Sequence, residues 1–248
     1  MPIDLTYLMI QSITLVFLVL IQYGNGWLVE YRDVKVNYTR KINHFALFFL
    51  PILLNRPYAY DQQYGLFILG AALAVLKFIF YVEPVRERVP FIKMMFRSFD
   101  RPEDRPHTLF WIATQTAAGH AVLISMGIIF ARNGYLNLIL IPILIYGIGD
   151  GLAEPVGVRF GRHKYQAWAL FSRQKYHRTL EGSLCVLVAG LVVIAAHFNY
   201  FPATGHFIAA MAAVPLLMTL AEAFSPHTWD SPFMFLTGYA ALFAILRF

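Results

Sequence analysis

The chain has 248 residues, of which 58% are hydrophobic and 16% aromatic, and its mean hydropathy is +0.57. This composition lies outside the range of soluble domains and predicts an integral membrane protein. The net charge of +6 does not by itself indicate a nucleic acid partner, because Lys and Arg at a membrane face also meet anionic lipid headgroups. The one cysteine, Cys185, excludes a disulfide within the chain and a cysteine metal site.

Eight apolar runs recur along the chain, and a helix that crosses a bilayer needs about 20 apolar residues. We therefore predict an all-α, polytopic membrane protein with about eight transmembrane helices in a single domain over residues 1–248. The first run is read as a retained helix, because neither a basic segment nor a small-residue cleavage site accompanies it. The predicted helices cover residues 5–23, 42–57, 64–82, 108–131, 136–152, 183–199, 206–223 and 232–247.

The basic residues orient these helices, because Lys and Arg collect in cytoplasmic loops. Sixteen of the 20 lie in alternate connections, at about residues 24–41, 83–107 and 150–182. These connections and residues 224–231 are predicted to be cytoplasmic, so both termini lie on the non-cytoplasmic side. No transit peptide is visible, which favours a prokaryotic inner membrane.

The fifth apolar run leads directly into the polar stretch GIGDGLAEPVGVRFGRHK. Asp150 and Glu154 are four residues apart and share a helical face, which suits Mg²⁺ beside substrate phosphates. Its glycines let backbone N–H groups approach an anion closely. The same pattern also fits a helix end with solvated acids and bases. Three basic residues that would neutralise phosphate charge follow: Arg159, Arg162 and Lys164.

Three further polar clusters lie at predicted cytoplasmic helix ends, and each has an ordinary structural explanation. Thr179 or Ser183 with Glu181 fits the capping of the sixth helix. The segment from Glu222 to Asp230 fits a turn. The remaining cluster is Arg40, Lys41 and His44 at the second helix, where an interfacial His is often only a satisfied polar residue. That all four clusters share one predicted face favours a single active site over separate turns.

At these residues the sequence resembles the CTP-dependent polyprenol kinases, a group of dolichol, phytol and farnesol kinases related to phosphatidate cytidylyltransferase. The central patterns are G-D-x-x-A-x-x-x-G-[RK]-x-[FY]-G-[RK]-x-K and K-[ST]-x-E-G-[ST]. The first is matched by Gly149, Asp150, Ala153, Gly157, Phe160, Gly161, Arg162 and Lys164, and the second by Arg178, Thr179, Glu181, Gly182 and Ser183.

Two outer elements extend the resemblance, and two positions depart from it. Val158 replaces the usual basic residue, and Ser231 stands where the kinases commonly have Asn. The late P-G-H-G-G-x-x-D-R element of the cytidylyltransferases is absent, which favours the kinases. The outer elements are R-K-x-x-H, matched by Arg40, Lys41 and His44, and E-x-x-S-P-x-x-x-D, matched by Glu222, Ser225, Pro226 and Asp230.

The resemblance implies transfer of the γ-phosphoryl group of CTP, or another nucleoside triphosphate, to the hydroxyl of an isoprenoid alcohol in the bilayer. Mg²⁺ would be the cofactor, held by Asp150 and Glu154, and nucleic acid would not be a partner. The alternatives are CDP-lipid synthesis from phosphatidate and a non-catalytic scaffold or transporter. The implied catalytic residues are Asp150, His44, Asp230 and Glu222, and the implied nucleotide and phosphate ligands are Arg40, Lys41, Gly157, Arg159, Gly161, Arg162, Lys164, Arg178, Thr179, Glu181, Gly182 and Ser183.

Overall fold

The structure, a computed structural model, describes residues 5–54, 64–170 and 172–248. The end of the predicted second helix, residues 55–57, lies outside the described residues. The chain divides into two compact units, residues 1–110 and residues 111–248. The assignment of one domain to the whole chain stays a prediction.

The first unit is helical in its described part. Its elements are α1 (Leu5–Arg32), α2 (Val36–Leu54), α3 (Tyr64–Leu76), α4 (Glu83–Arg88) and α5 (Pro90–Arg97), with 3₁₀ helices at Lys77–Tyr81 and Pro102–Asp104. α1 packs against α2 and α5. Asn25 of α1 donates to Asn43 of α2 at 2.7 Å, and Asn43 donates to Ser98 Oγ at 2.7 Å. This polar chain joins α1, α2 and the end of α5.

The second unit combines a helical core with one β-hairpin. α6 begins just before it, and the elements are α6 (Thr108–Arg132), α7 (Leu140–Ile145), α8 (Gly151–Phe160), β1 (Lys164–Ala169), β2 (Ser172–Thr179), α9 (Leu180–Ala196), α10 (Thr204–Phe224) and α11 (Asp230–Arg247). A single π turn, Tyr146–Asp150, joins α7 to α8. α9 packs against α8 and α10, and α10 packs against α11. Val186, Val214 and Leu242 of these helices are fully buried in the core.

Four stretches are long and apolar enough to cross a membrane within the described part of the chain: Leu8–Arg32, Thr108–Arg132, Leu136–Phe160 and Thr204–Phe224. Side chains such as Leu15, Val16 and Leu20 are exposed on the first of them, as expected of a surface that faces lipid. Two shorter apolar helices accompany them, at Ile68–Tyr81 and Leu180–Ala196. The chain is therefore mainly helical with four candidate spans, and the count of eight spans and the side of each terminus stay predictions.

The stretches predicted as loops contain more regular structure than expected. α1 continues to Arg32, so much of residues 24–41 is helical, and α4 and α5 fall within residues 83–107. Residues 150–182 hold α8 and the antiparallel hairpin. The hairpin was not predicted because its polar residues resemble a loop. Its strands nevertheless bury alternate small or aromatic side chains, Ala167, Ala169 and Tyr176, against Trp111 of α6.

Candidate active site

Arg178 lies at the centre of a polar cluster in the second unit. The side chain extends from the end of β2 and is only 11% exposed. Nη2 pairs with Asp230 Oδ1 in the first turn of α11, and Nη1 lies 3.6 Å from Glu222 Oε1 near the end of α10. Burial lowers the pKa of the guanidinium, but Asp230 and Glu222 together outweigh it and raise the pKa above its ordinary value. We call Arg178, Glu222 and Asp230 the Arg178 centre.

The connection between α10 and α11 is shaped by contacts to the same arginine. Arg178 Nη1 donates to Ser225 Oγ at 3.2 Å, and Nη2 donates to the Pro226 carbonyl at 3.4 Å. Ser225 Oγ lies 2.9 Å from the Glu222 carbonyl and 2.8 Å from Asp230 Oδ1. The E-x-x-S-P-x-x-x-D spacing therefore has a physical reason, since each named residue of the motif contacts Arg178 directly.

Ser183 extends the cluster to the start of α9. Its hydroxyl donates to Glu222 Oε2 at 2.7 Å and lies 2.6 Å from the hydroxyl of Tyr165 in β1. Burial, followed by the charge of Glu222, raises the pKa of Tyr165. Thr179 caps α9, because its Oγ1 accepts from the Gly182 N–H at 3.1 Å. The capping prediction is thus confirmed for Thr179, whereas Ser183 joins the charged cluster.

Asp150 belongs to the same electrostatic cluster. It is the last residue of the π turn and is 6% exposed, and its charge acts on both Arg178 and Glu222. A π turn inserts one extra residue into a helix and occurs frequently at functional sites. The adjacent Gly149 lies directly against α9, since a Cβ there would stand 2.8 Å from the Cα of Val186. The π turn that carries Asp150 therefore packs against α9, and the Asp150 charge acts on side chains of β2 and α10.

Asp150 and Glu154 offer the hard oxygen ligands that a magnesium ion requires. The two carboxylates are one helical turn apart, and Glu154 is half-buried. Within residues 5–54, 64–170 and 172–248, no group of three or more His, Cys, Asp or Glu side chains is arranged to hold a metal ion alone. Such a donor set fits Mg²⁺, which takes one or two protein carboxylates and completes its shell with phosphate and water oxygens.

The basic residues of the central motif lie beside this cluster in sequence but are exposed. Arg159 lies in the last turn of α8, Arg162 lies in the connection between α8 and β1, and Lys164 is the first residue of β1. The guanidinium of Arg159 lies 5.4 Å from the ring centroid of Phe160. Because these cations face solvent, they are accessible to a soluble anion.

Glu181 holds the connection that carries these bases. Its carboxylate accepts from the backbone N–H of Arg162 at 3.1 Å and of His163 at 3.3 Å, and lies 2.8 Å from His163 Nδ1. These contacts give Glu181 a structural role at the start of α9. Neither His163 nor Tyr165 was predicted as a site residue, although His163 lies within the central motif and Tyr165 directly follows it.

Three glycines of the predicted phosphate site allow close packing of helix and strand. A Cβ at Gly157 would lie 2.7 Å from Thr179 Oγ1, and one at Gly161 would lie 2.4 Å from Thr179 Cγ2. A Cβ at Gly182 would lie 2.7 Å from the Ala153 carbonyl. The glycines therefore let α8 approach the cap of α9, and their contact with phosphate stays a prediction.

The remaining candidate residues lie on α2 in the first unit. Lys41 is buried, and Arg40 and His44 are half-buried. The His44 ring lies 4.8 Å from the ring centroid of Phe48. Their roles in catalysis and in nucleotide binding stay predictions.

The structure thus defines a mainly helical chain with membrane-length apolar helices and a buried charged cluster where α9, α10 and α11 meet the hairpin. Over 60 residues the chain is 37% identical to the phytol kinase of Synechocystis sp., a match that covers 24% of this chain and 23% of that protein. The similarity is therefore limited to about a quarter of each protein. No protein-family model matches the chain, and no solved structure matches it.

Proposed function

We propose that this chain is a membrane kinase that transfers the γ-phosphoryl group of CTP, or another nucleoside triphosphate, to the hydroxyl of an isoprenoid alcohol. The observation that carries the proposal is the convergence of Asp150 with the Arg178 centre. Phosphoryl transfer depends on positioning and charge neutralisation more than on a covalent nucleophile. A cluster that places carboxylates around a fixed cation suits that requirement, and the partial similarity to a phytol kinase supports the same class of reaction.

Each part of the cluster has a distinct role in this proposal. Asp150 and Glu154 would hold Mg²⁺, which would neutralise charge on the phosphates. Arg178 positions Glu222 and Asp230, and Asp230 or His44 accepts the proton of the alcohol. The ligands of the phosphates and nucleotide would be Arg159, Arg162, Lys164, Arg40 and Lys41, with the backbone around Gly157, Gly161 and Gly182 and the side chains of Thr179, Glu181 and Ser183 nearby.

The apolar helices suit an acceptor that is dissolved in the bilayer. Each buried methylene of an isoprenoid tail contributes about 0.8 kcal/mol, so a long alcohol partitions into lipid. Its hydroxyl must then meet a soluble nucleotide at the membrane surface. We propose the cytoplasmic face of a prokaryotic inner membrane as that surface, because predicted loops rich in Lys and Arg favour it.

The test is a product assay with the purified full chain in lipid nanodiscs. Mg²⁺, CTP labelled on the γ-phosphate, and phytol, farnesol or a polyprenol should yield a labelled lipid monophosphate. Asp150→Asn removes a carboxylate that would hold the metal, and we expect its rate to fall by at least about 10²-fold. Melting temperatures of both proteins establish that the variant is folded.

Glu87→Gln is the matched control, because Glu87 is an exposed carboxylate of α4 paired with Lys93. We expect its rate to equal that of the wild type, since exposed ion pairs contribute little to stability. Formation of a CDP-lipid and pyrophosphate from phosphatidate would instead assign the chain to the cytidylyltransferases. If no lipid product forms and CTP gives no Mg²⁺-dependent stabilisation, the result would favour the alternative of a non-catalytic scaffold or transporter.

A further inference from the structure

Three buried polar atoms of the second unit make no hydrogen bond within the described residues: Thr228 Oγ1, Gln115 Oε1 and His206 Nδ1. Leaving such an atom buried and unpaired destabilises a fold. The first two come from segments that contact each other. Thr228 is 2% exposed in the connection between α10 and α11, and Gln115 lies on α6. The Trp229 indole N–H of one segment donates to Thr114 Oγ1 of the other at 3.1 Å. Thr228 directly precedes the donor residue Trp229, and Gln115 directly follows the acceptor residue Thr114.

The backbone at Thr228 is strained, since its φ is 63° and β-branched residues rarely adopt positive φ. The neighbouring residues hold it there. The backbone N–H of His227 donates to the Trp168 carbonyl at 2.6 Å, and the His227 ring stacks on Tyr176 at 3.8 Å. The backbone N–H of Trp229 donates to the Pro226 carbonyl at 2.9 Å. A conformation that costs free energy and is fixed by several contacts points to a functional role for its side chain.

The chemistry of the two atoms indicates what they bind. Thr228 Oγ1 can donate a hydrogen bond, and Gln115 Oε1 accepts one. Neither carries charge, so the pair has no particular attraction for phosphate, in contrast to Arg178 and the exposed bases. A ligand hydroxyl, which accepts one hydrogen bond and donates another, matches the chemistry of each atom.

The position of Gln115 favours a lipid over a soluble ligand. It lies seven residues after Thr108, the first residue of a candidate membrane span, or about 10 Å along the helix axis. We propose that Thr228 and Gln115 bind the hydroxyl head of the lipid alcohol and hold it beside the Arg178 centre. This inference rests on the proposed function and names the acceptor side of that site.

The experiment measures KM separately for farnesol and for CTP in Thr228→Val and Gln115→Leu, with the full chain in nanodiscs. We expect the KM for farnesol to rise about tenfold in each and the KM for CTP to stay unchanged. Melting temperatures should hold or rise, because an unpaired buried polar atom is removed. Thr228→Ser keeps the hydroxyl and should restore the farnesol KM.

Thr116→Val is the matched control on α6, because the Thr116 hydroxyl already donates to the Ile112 carbonyl at 2.7 Å. Its farnesol KM should equal that of the wild type. An unchanged farnesol KM in both Thr228→Val and Gln115→Leu, or an equal rise for both substrates, overturns the inference.

Binding keeps the inference testable if the wild type forms no product, an outcome that would refute the proposed function. Farnesol without nucleotide should then still raise the melting temperature of the wild type and of Thr116→Val. That rise should be absent in Thr228→Val. If farnesol stabilises none of these proteins, or all of them equally, the inference fails independently of the assay.

Discussion

Arg178 is a largely buried cation whose carboxylate partners come from two different helices. Arg178→Ala leaves Glu222 and Asp230 buried without a counter-charge, which typically costs about 3–5 kcal/mol. We expect a loss of that size in the free energy of unfolding, measured by denaturant titration in detergent. Arg178→Lys keeps the charge but loses the forked donors, so it should recover part of the stability and little activity.

Arg173→Ala provides the comparison, because Arg173 lies on the same strand and is exposed. Its unfolding free energy should stay within about 0.5 kcal/mol of the wild type. Equal losses in the two alanine variants would contradict the arrangement described for the Arg178 centre.

Glu181 makes stability depend on pH. Hydrogen bonds from its own backbone N–H, from the His163 side chain and from the N–H groups of Arg162 and His163 lower its pKa to about 2. In the unfolded chain the carboxyl titrates near its ordinary value of about 4.3. Its contribution is therefore fully present above that value and is lost as pH falls towards 2.

The corresponding measurement compares the wild type with Glu181→Gln by thermal unfolding from pH 7 to pH 3. We expect the variant to be less stable at pH 7 and the difference to shrink below about pH 4.3. A difference that stays constant across this range would show that ionised Glu181 does not stabilise the fold.

Several individual residues could be predicted from the sequence because their roles are local. Thr179 caps α9 as its position before an apolar helix indicates, and Asp150 lies where an apolar run ends. The hydrogen bond from Ser183 to Glu222 joins residues 39 positions apart, and a single sequence carries no signal for such a pair. The strained Thr228 was equally hidden, because a Ser-Pro turn does not specify the φ of a residue two positions after its proline.

The contact between α8 and the cap of α9 depends on the absence of side chains at glycine. At Gly161 an added methyl would stand 2.3 Å from the Gly157 carbonyl and 2.4 Å from Thr179 Cγ2. We expect Gly161→Ala to lower the free energy of unfolding by about 1–3 kcal/mol, because overpacking forces backbone shifts. Activity should fall as well, since Thr179 follows Arg178 directly.

Gly205→Ala is the control for this substitution, because a Cβ built there in the first turn of α10 meets no described residue beyond its own helical turn within 4 Å. Unfolding measurements in one detergent should show no loss for Gly205→Ala, as Ala favours helix over Gly. A larger loss at Gly205 than at Gly161 would contradict the packing described.

At the level of elements, apolar helices were easier to predict than the segments between them. Each of the eight predicted runs contains a helix in its described part, because long apolar runs favour helices that can cross a bilayer. The hairpin escaped prediction because the apolar side chains that its described residues bury are Ala167, Ala169 and Tyr176, and two of these are small. Its pairing places Tyr165 opposite Arg178, which is how a strand brings both residues to the cluster.

For the whole molecule, the predicted topology places opposite ends of the stretch Leu136–Phe160 on opposite sides of the membrane. In a Cys185→Ala background, we expect an impermeant maleimide to label Lys175→Cys only from the cytoplasmic side. Asn137→Cys should react only from the other side. Both positions are exposed, so each is accessible to the reagent.

Labelling of both cysteines from one side would contradict a crossing by this stretch and with it the predicted orientation. The orientation is predicted from the distribution of Lys and Arg along the chain, because these residues collect in loops on the cytoplasmic side of a membrane.

The π turn Tyr146–Asp150 also sets a constraint on chain length. Its additional residue rotates every later position of α8 by about 100° relative to an uninterrupted α-helix. Shortening the chain by one residue within this turn would redirect Glu154 and Gly157 to different neighbours, whereas an isosteric replacement would not. Related proteins that keep this arrangement should therefore tolerate exchanges of side chain in the turn far better than insertions or deletions.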